Sequence, residues 1–164
     1  TSASDLYSLS ETPGYLTLKC ADVNATEKKT PAFVCRRLQH HKFECTTRML
    51  FDPSDDKEMA GMLLFKDETH QYFFCLSKAS ENKYISLKQI GEKEQMLVSD
   101  EIDANTNEVY LKLVSQGISY DFYYSIDGEK NWKLLCKDVD ASYLSTAMAG
   151  GFTGTTIGLY ATCK

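Results

Sequence analysis

Apolar and polar positions alternate with a period of two along most of the chain, and short polar breaks interrupt the alternation. Residues 43–51 show it clearly: Cys45, Thr47, Met49 and Phe51 fall on one face, and Glu44, Thr46, Arg48 and Leu50 on the other. Strands are predicted on this basis at 15–19, 31–35, 43–51, 58–65, 70–77, 83–89, 95–99, 108–115, 118–126, 132–136 and 156–162. The breaks carry turn chemistry: Pro13-Gly14, residues 52–56, Gln116-Gly117 and Asp127-Gly128. Gly61 falls inside a predicted strand, where glycine marks a bulge or a close backbone approach. Residues 141–148 form the one helical candidate, of a turn or two. Ten to twelve short strands with turns at this spacing predict an all-β, antiparallel sandwich or jelly roll.

Length and composition narrow the reading. At 164 residues, a single domain over 1–164 is expected, long enough to fold without a disulfide or metal staple. Net charge is −5, with a pI near 5.2. A cluster at Arg36, Arg37, His40, His41 and Lys42 is the one compact basic feature, too small for a nucleic-acid footprint, so no nucleic-acid partner is expected. No apolar run approaches the ~18 residues of a membrane span, so no membrane partner is expected either. The six cysteines, at 20, 35, 45, 75, 136 and 163, lack a C-x-x-C pair or a His at metal-ligand spacing. No metal site is expected, and most of the thiols are expected to be buried.

Candidate chemistry is sparse. Glu101-Ile102-Asp103 resembles the start of the E-x-D-x-E strand of some sandwich glucanases, where alternation sets two Glu on one face. Asn105 stands where the second Glu would be, and Asn cannot donate a carboxylic proton. The segment is expected to be a solvated loop, and no catalytic residue is predicted. Trp132, re-entering the sheet after the Asp127-Gly128 turn, is a core candidate with sugar stacking as the alternative; Tyr124 on the Tyr-rich strand is a second stacking candidate. The run 149–154 mounts Phe152 on a glycine-rich loop (Gly150, Gly151 and Gly154), either the kind of segment that carries function on a rigid scaffold or a bulged turn with Phe152 tucked into the core.

Four segments taken in order carry a family resemblance. They are Pro13-Gly14-Tyr15-Leu16; Pro31-Ala32-Phe33-Val34 with Arg36-Arg37 and Gln39-His40; Ala60-Gly61-Met62; and Gly151-Phe152-Thr153-Gly154 with Ile157-Gly158-Leu159-Tyr160-Ala161. Together they resemble the C-terminal concanavalin-A-like domain of family-43 glycoside hydrolases, the β-xylosidase and α-L-arabinofuranosidase group, across nearly the whole chain.

The resemblance implies a jelly roll fused behind a five-bladed propeller that carries the catalytic carboxylates. Its implied partners are that propeller, in the same polypeptide, and a plant-type xylo- or arabino-oligosaccharide. The implied role is a non-catalytic accessory module that packs on the propeller and borders its sugar pocket. Gly151, Phe152, Thr153 and Gly154, with Arg36, Arg37, Gln39 and His40, are the residues expected at the pocket or the domain interface. An autonomous carbohydrate-binding module is the alternative, and a free-standing glucanase using Glu101 and Asp103 ranks behind both. No cofactor is expected; calcium has no motif to support it. The chain begins at Thr1 without Met, which fits a processed protein or a domain of a longer one, and a periplasmic or secreted location is expected ahead of a cytoplasmic one.

Overall fold

Two antiparallel sheets face each other in the computed structural model, which describes residues 5–145 and 154–164. The larger sheet has six strands: β3 (Ala32–Arg37), β5 (Met59–Asp67), β6 (His70–Ala79), β7 (Asn82–Ile90), β8 (Glu94–Ile102) and β12 (Thr156–Thr162). Their spatial order is β3-β12-β5-β6-β7-β8. The smaller sheet is built from β4 (Lys42–Leu50), β9 (Glu108–Gln116), β10 (Ser119–Ser125) and β11 (Lys133–Asp140), ordered β11-β10-β9-β4. A two-residue ribbon pairs β1 (Tyr7–Ser8) with β2 (Thr17–Leu18). The expected concanavalin-A-like sandwich is the observed fold.

Alternation on the small sheet produces one dry face. Along β9, Val109, Leu111 and Leu113 are fully buried, while Tyr110, Lys112 and Val114 point away from the core. The buried side chains meet Leu64, Phe74, Leu76, Ile85 and Leu87 of the large sheet. Phe74 and Phe122 pack edge to face with centroids 5.2 Å apart across the interface. Each such side chain contributes roughly 1.5–3 kcal/mol on burial.

The large sheet is covered on both faces, which is why β5 and β6 read as nearly continuous apolar runs. Its outer face carries a second cluster, Leu63, Phe73, Cys75, Ile90 and Tyr160, capped by Ala25. The connecting segment 21–30 lies over this face. Ala25 N donates to Tyr160 Oη at 3.1 Å, and Cys163 N to Ala21 O at 3.1 Å.

Some boundaries differ from the sequence expectation. β8 runs on to Ile102, past the expected end at 99, because Asp100, Glu101 and Ile102 pair with Ile85, Tyr84 and Lys83. β11 runs on to Asp140, its length set by pairing with β10. The helical candidate is a 3-10 turn over Ala141–Leu144, capped by Asp140 through Ser142 N; residues 146–148 lie outside the described residues. Gly61 sits at a close approach and not at a bulge: an added Cβ would lie 2.0 Å from Phe74 O. The irregularity of this hairpin falls between Phe65 and Asp67.

Candidate functional site

A cleft of about 570 Å3 opens at one end of the sandwich, where four connections converge. They are the β3–β4 link (Leu38 to His41), the β9–β10 hairpin (Gly117, Ile118), the turn Asp140 to Ser145, and Gly154-Thr155 ahead of β12. Hydrogen bonds tie these walls to one another. Leu38 N donates to Thr155 O (3.0 Å), Ala141 N to Ile118 O (3.0 Å) and Thr155 Oγ1 to Leu144 O (2.9 Å). Ser115 Oγ donates to His41 O (2.5 Å), and Tyr72 Oη closes the base on Asp140 O (2.8 Å). The chain must reverse tightly at Gly117, whose φ of +98° is a region open to glycine.

Pairing of β3 with β12 brings together residues more than a hundred positions apart. Arg37 pairs with Thr156 and Arg36 with Ile157. Gln39 and His40 line the cleft beside Gly154, and an added Cβ at Gly154 would sit 3.3 Å from Arg37 Cδ. Arg37, Gln39, His40 and Gly154 are therefore neighbours. The two arginines do not form one patch, however. Ile157, opposite Arg36, belongs to the inter-sheet core, so Arg36 lies on the inner side of β3 and Arg37 on the outer. Gly151, Phe152 and Thr153 lie outside the described residues.

Sequence reasoning missed other cleft residues, notably Lys66, Ser115, Asp140 and Thr155. Lys66 is 3% exposed. A charged residue closing the apolar run of β5 was the available signal. Asp140 is the one carboxylate among the lining residues, and its Oδ1 already accepts from Ser142 N. Glycoside hydrolysis uses two carboxyl groups flanking the bond. Asp140 alone does not make such a pair.

The remaining candidates separate. Tyr124 is 4% exposed; its ring packs in the inter-sheet core and its hydroxyl donates to Asp100 Oδ2 at 2.8 Å. No ring face is left to stack on a sugar, which corrects that expectation. Strand parity is the reason: Phe122 and Tyr124 share the inward face, and Tyr123 points out. Trp132 is half-buried on the outer side of the small sheet. Tyr110 meets it edge to face at 86°, and Lys112 Nζ stands 4.0 Å from its ring centroid.

Glu101 is exposed near the end of β8, and Asp103 Oδ1 accepts from Asn105 N at 2.8 Å within the following turn. The expected turn therefore begins only after Ile102. Most thiols are expected to be buried, but Cys75 alone is fully so; Cys35 is exposed and the other four are half-buried, because they sit at sheet edges and connections. Burial still pushes the thiols of Cys20 and Cys45 up to about 11 and that of Cys75 to about 12, so none of these is a thiolate at neutral pH. Among the described residues, no group of three or more His, Cys, Asp and Glu could hold a metal.

The family model of the β-xylosidase C-terminal concanavalin-A-like domain matches residues 1–164. The chain belongs to this family. A xylosidase/arabinosidase of Butyrivibrio fibrisolvens is 30% identical over 158 residues, covering 96% of this chain and 30% of the relative. A non-reducing-end α-L-arabinofuranosidase of Bacteroides ovatus is 26% identical, covering 97% and 30%. Among solved structures, the Bacteroides ovatus xyloglucan-locus protein GH43B superposes with a TM-score of 0.89 at 26% identity, over 96% of this chain and 31% of that one. The chain thus spans about a third of the length of the relatives it matches.

Proposed function

We propose that this domain is the non-catalytic accessory module of a family-43 glycoside hydrolase, a β-xylosidase or α-L-arabinofuranosidase, that packs on the catalytic propeller of the same polypeptide. In this reading the end cleft, lined by Gln39, His40 and Gly154 with Arg37 beside Gly154, faces the propeller and borders its sugar pocket. The carrying observation is the meeting of these four residues at one end of a sandwich whose family match is complete while its relatives are about three times longer. Their side chains supply a guanidinium, an amide and an imidazole beside an open cleft, a donor set suited to sugar hydroxyls or to the carbonyls of a docked domain.

The test is kinetic and uses the polypeptide that joins this module to its propeller. Arg37→Ala combined with His40→Ala lowers kcat/KM on a short pentoside about tenfold, equivalent to roughly 1.4 kcal/mol of transition-state stabilisation. The unfolding midpoint of the 164-residue chain stays in place. An unchanged kcat/KM would remove the cleft from the sugar pocket. The isolated chain hydrolyses no pentoside; hydrolysis abolished by Glu101→Gln would overturn the non-catalytic reading.

An autonomous carbohydrate-binding module has less support. It calls for coplanar exposed rings, and Tyr110 and Trp132 stand nearly perpendicular with Lys112 over the indole. Quenching of Trp132 fluorescence by soluble xylan or arabinan would favour that reading.

A further inference from the structure

β3 is the outermost strand of the large sheet and is bonded on one side only, to β12. Its ladder fixes which backbone groups are left over. Leu38 N donates to Thr155 O at 3.0 Å, directly opposite in a register that pairs Arg37 with Thr156. Bonded and non-bonded pairs alternate along an antiparallel ladder. Val34 and Arg36 therefore turn their backbone groups to β12, while Phe33, Cys35 and Arg37 turn theirs outward. Phe33 N is taken by Pro31 O at 2.9 Å. Among the described residues, no hydrogen bond reaches the N–H groups of Cys35 and Arg37 or the carbonyls of Phe33, Cys35 and Arg37. The strand has neither a proline nor a register shift between Ala32 and Arg37, two of the devices that keep an edge from pairing.

The side chains at this edge are uncovered on both faces. The small sheet starts with β11 against β7 and β8, and its four strands leave β3 overhanging. Val34, on the inner face, is accordingly 41% exposed, and Cys35, Arg36 and Arg37 are exposed as well. One guanidinium flanks the edge on each face. Neither forms an ion pair among the described residues. With His40, His41 and Lys42 close behind, this is the basic corner of a chain whose net charge is −5.

The edge and its charges together specify an occupant. Unpaired backbone calls for an extended strand, and adjacent arginines on opposite faces call for adjacent carboxylates on that strand. A small anion would satisfy the guanidiniums and leave the backbone unpaired. A second copy of this chain is disfavoured, because two-fold pairing about Cys35 would gather Arg36 and Arg37 of both copies around one axis. So few backbone bonds give little affinity between separate molecules, whereas a tethered strand avoids most of the cost of association. The relatives are about three times longer than this chain, and Arg37 already stands beside Gly154 of the end cleft.

We propose that β3 is extended by a strand from the propeller-bearing part of the same polypeptide. That strand carries two adjacent acidic residues opposite Arg36 and Arg37 and apolar residues opposite Val34 and Phe33. The proposal rests on the accessory reading for the source of the strand.

Residue-resolved amide hydrogen exchange tests it by comparing the joined polypeptide with the isolated 164-residue chain. Exchange at Cys35 and Arg37 should be about tenfold slower in the joined polypeptide, because only there are these amides bonded. Val34 and Arg36, bonded to β12 in both, should change little. Arg36→Glu combined with Arg37→Glu should restore fast exchange at Cys35 while Phe74 N–H keeps its protection. If that variant fails to fold, raising the salt from about 0.05 M to about 0.5 M makes the same comparison on the unaltered polypeptide. Equal exchange in the two polypeptides overturns the proposal. Protection at Cys35 that survives both charge reversal and salt denies the acidic strand and overturns it too. So does protection accompanied by loss of Cys35 alkylation with iodoacetamide, because a domain covering the face would hide the thiol, whereas a strand beside the edge leaves it open. These outcomes are separable from the kinetic test. A lowered kcat/KM with an unprotected edge strikes this proposal alone, and a protected edge with unchanged kcat/KM strikes the reading of the cleft alone.

Discussion

At residue 61 a single methyl group has nowhere to go. An added Cβ would stand 2.0 Å from Phe74 O, and at residue 158 it would stand 2.2 Å from Val34 O. In both places the obstacle is the backbone of the neighbouring strand, which cannot turn aside as a side chain can. Gly61→Ala and Gly158→Ala should therefore each destabilise the chain by about 2–3 kcal/mol, the upper range for overpacking. Urea unfolding of the 164-residue chain measures this, and a loss below about 0.5 kcal/mol would contradict the close approach. The close approach was legible at Gly61, where glycine interrupts an apolar strand. Parity was legible but unused at two sites. Alternation already sets Tyr123 opposite to Tyr124 and Arg36 opposite to Arg37; which member faced the core depended on a partner strand, and that is long-range information.

Among the elements, the β10–β11 turn has chemistry that makes a pH prediction. Asp127 accepts from Asn131 Nδ2 at 2.7 Å, Asn131 N at 3.0 Å and Ser125 Oγ at 2.8 Å. These bonds, led by the Asn131 side chain, hold its carboxyl down to about 2 from the ordinary 3.8. A depressed folded value stabilises the fold above the unfolded value and is lost as pH falls through the folded one. The turn should therefore lose stability between about pH 4 and pH 2. Glu27, held down to about 2 first by Lys164, titrates in the same window.

Asp127→Ala should flatten the fall in unfolding midpoint across that window without removing it, because Glu27 still contributes. Trp132, five residues on, supplies the fluorescence signal. An unaltered slope would dissociate Asp127 from the effect. This turn was legible from Asp127-Gly128 alone, and β12 from its alternation. The full extent of β8 was not, because Asp100 and Glu101 are polar and only pairing with β7 makes them strand.

For the whole molecule, the question is whether the two sheets unfold as one. The β4–β9 pairing joins Lys42 to Gln116 and Leu50 to Glu108, so the small sheet cannot close until the intervening β5 to β8 have been laid down. The same segment supplies most of the large sheet, and the core between them is a single cluster. Two sheets interleaved in this way predict one cooperative transition. Phe74 on β6 and Phe122 on β10 test it directly, since both are fully buried and touch only across the interface between the sheets. Phe74→Ala and Phe122→Ala should each cost about 3–5 kcal/mol. The double variant should cost less than their sum by about 0.5–1.5 kcal/mol, the coupling of an aromatic pair. Strict additivity, or a second transition in either variant, would mean that the sheets hold their structure separately. The docking proposed for the end cleft would depend on that cooperativity, because Gly154 and Thr155 lead into β12 of the large sheet while Gly117 and Ile118 join strands of the small one. Loosening the interface at Phe74 should thus disturb the cleft at a distance, lowering kcat/KM of the joined polypeptide in step with the loss of stability.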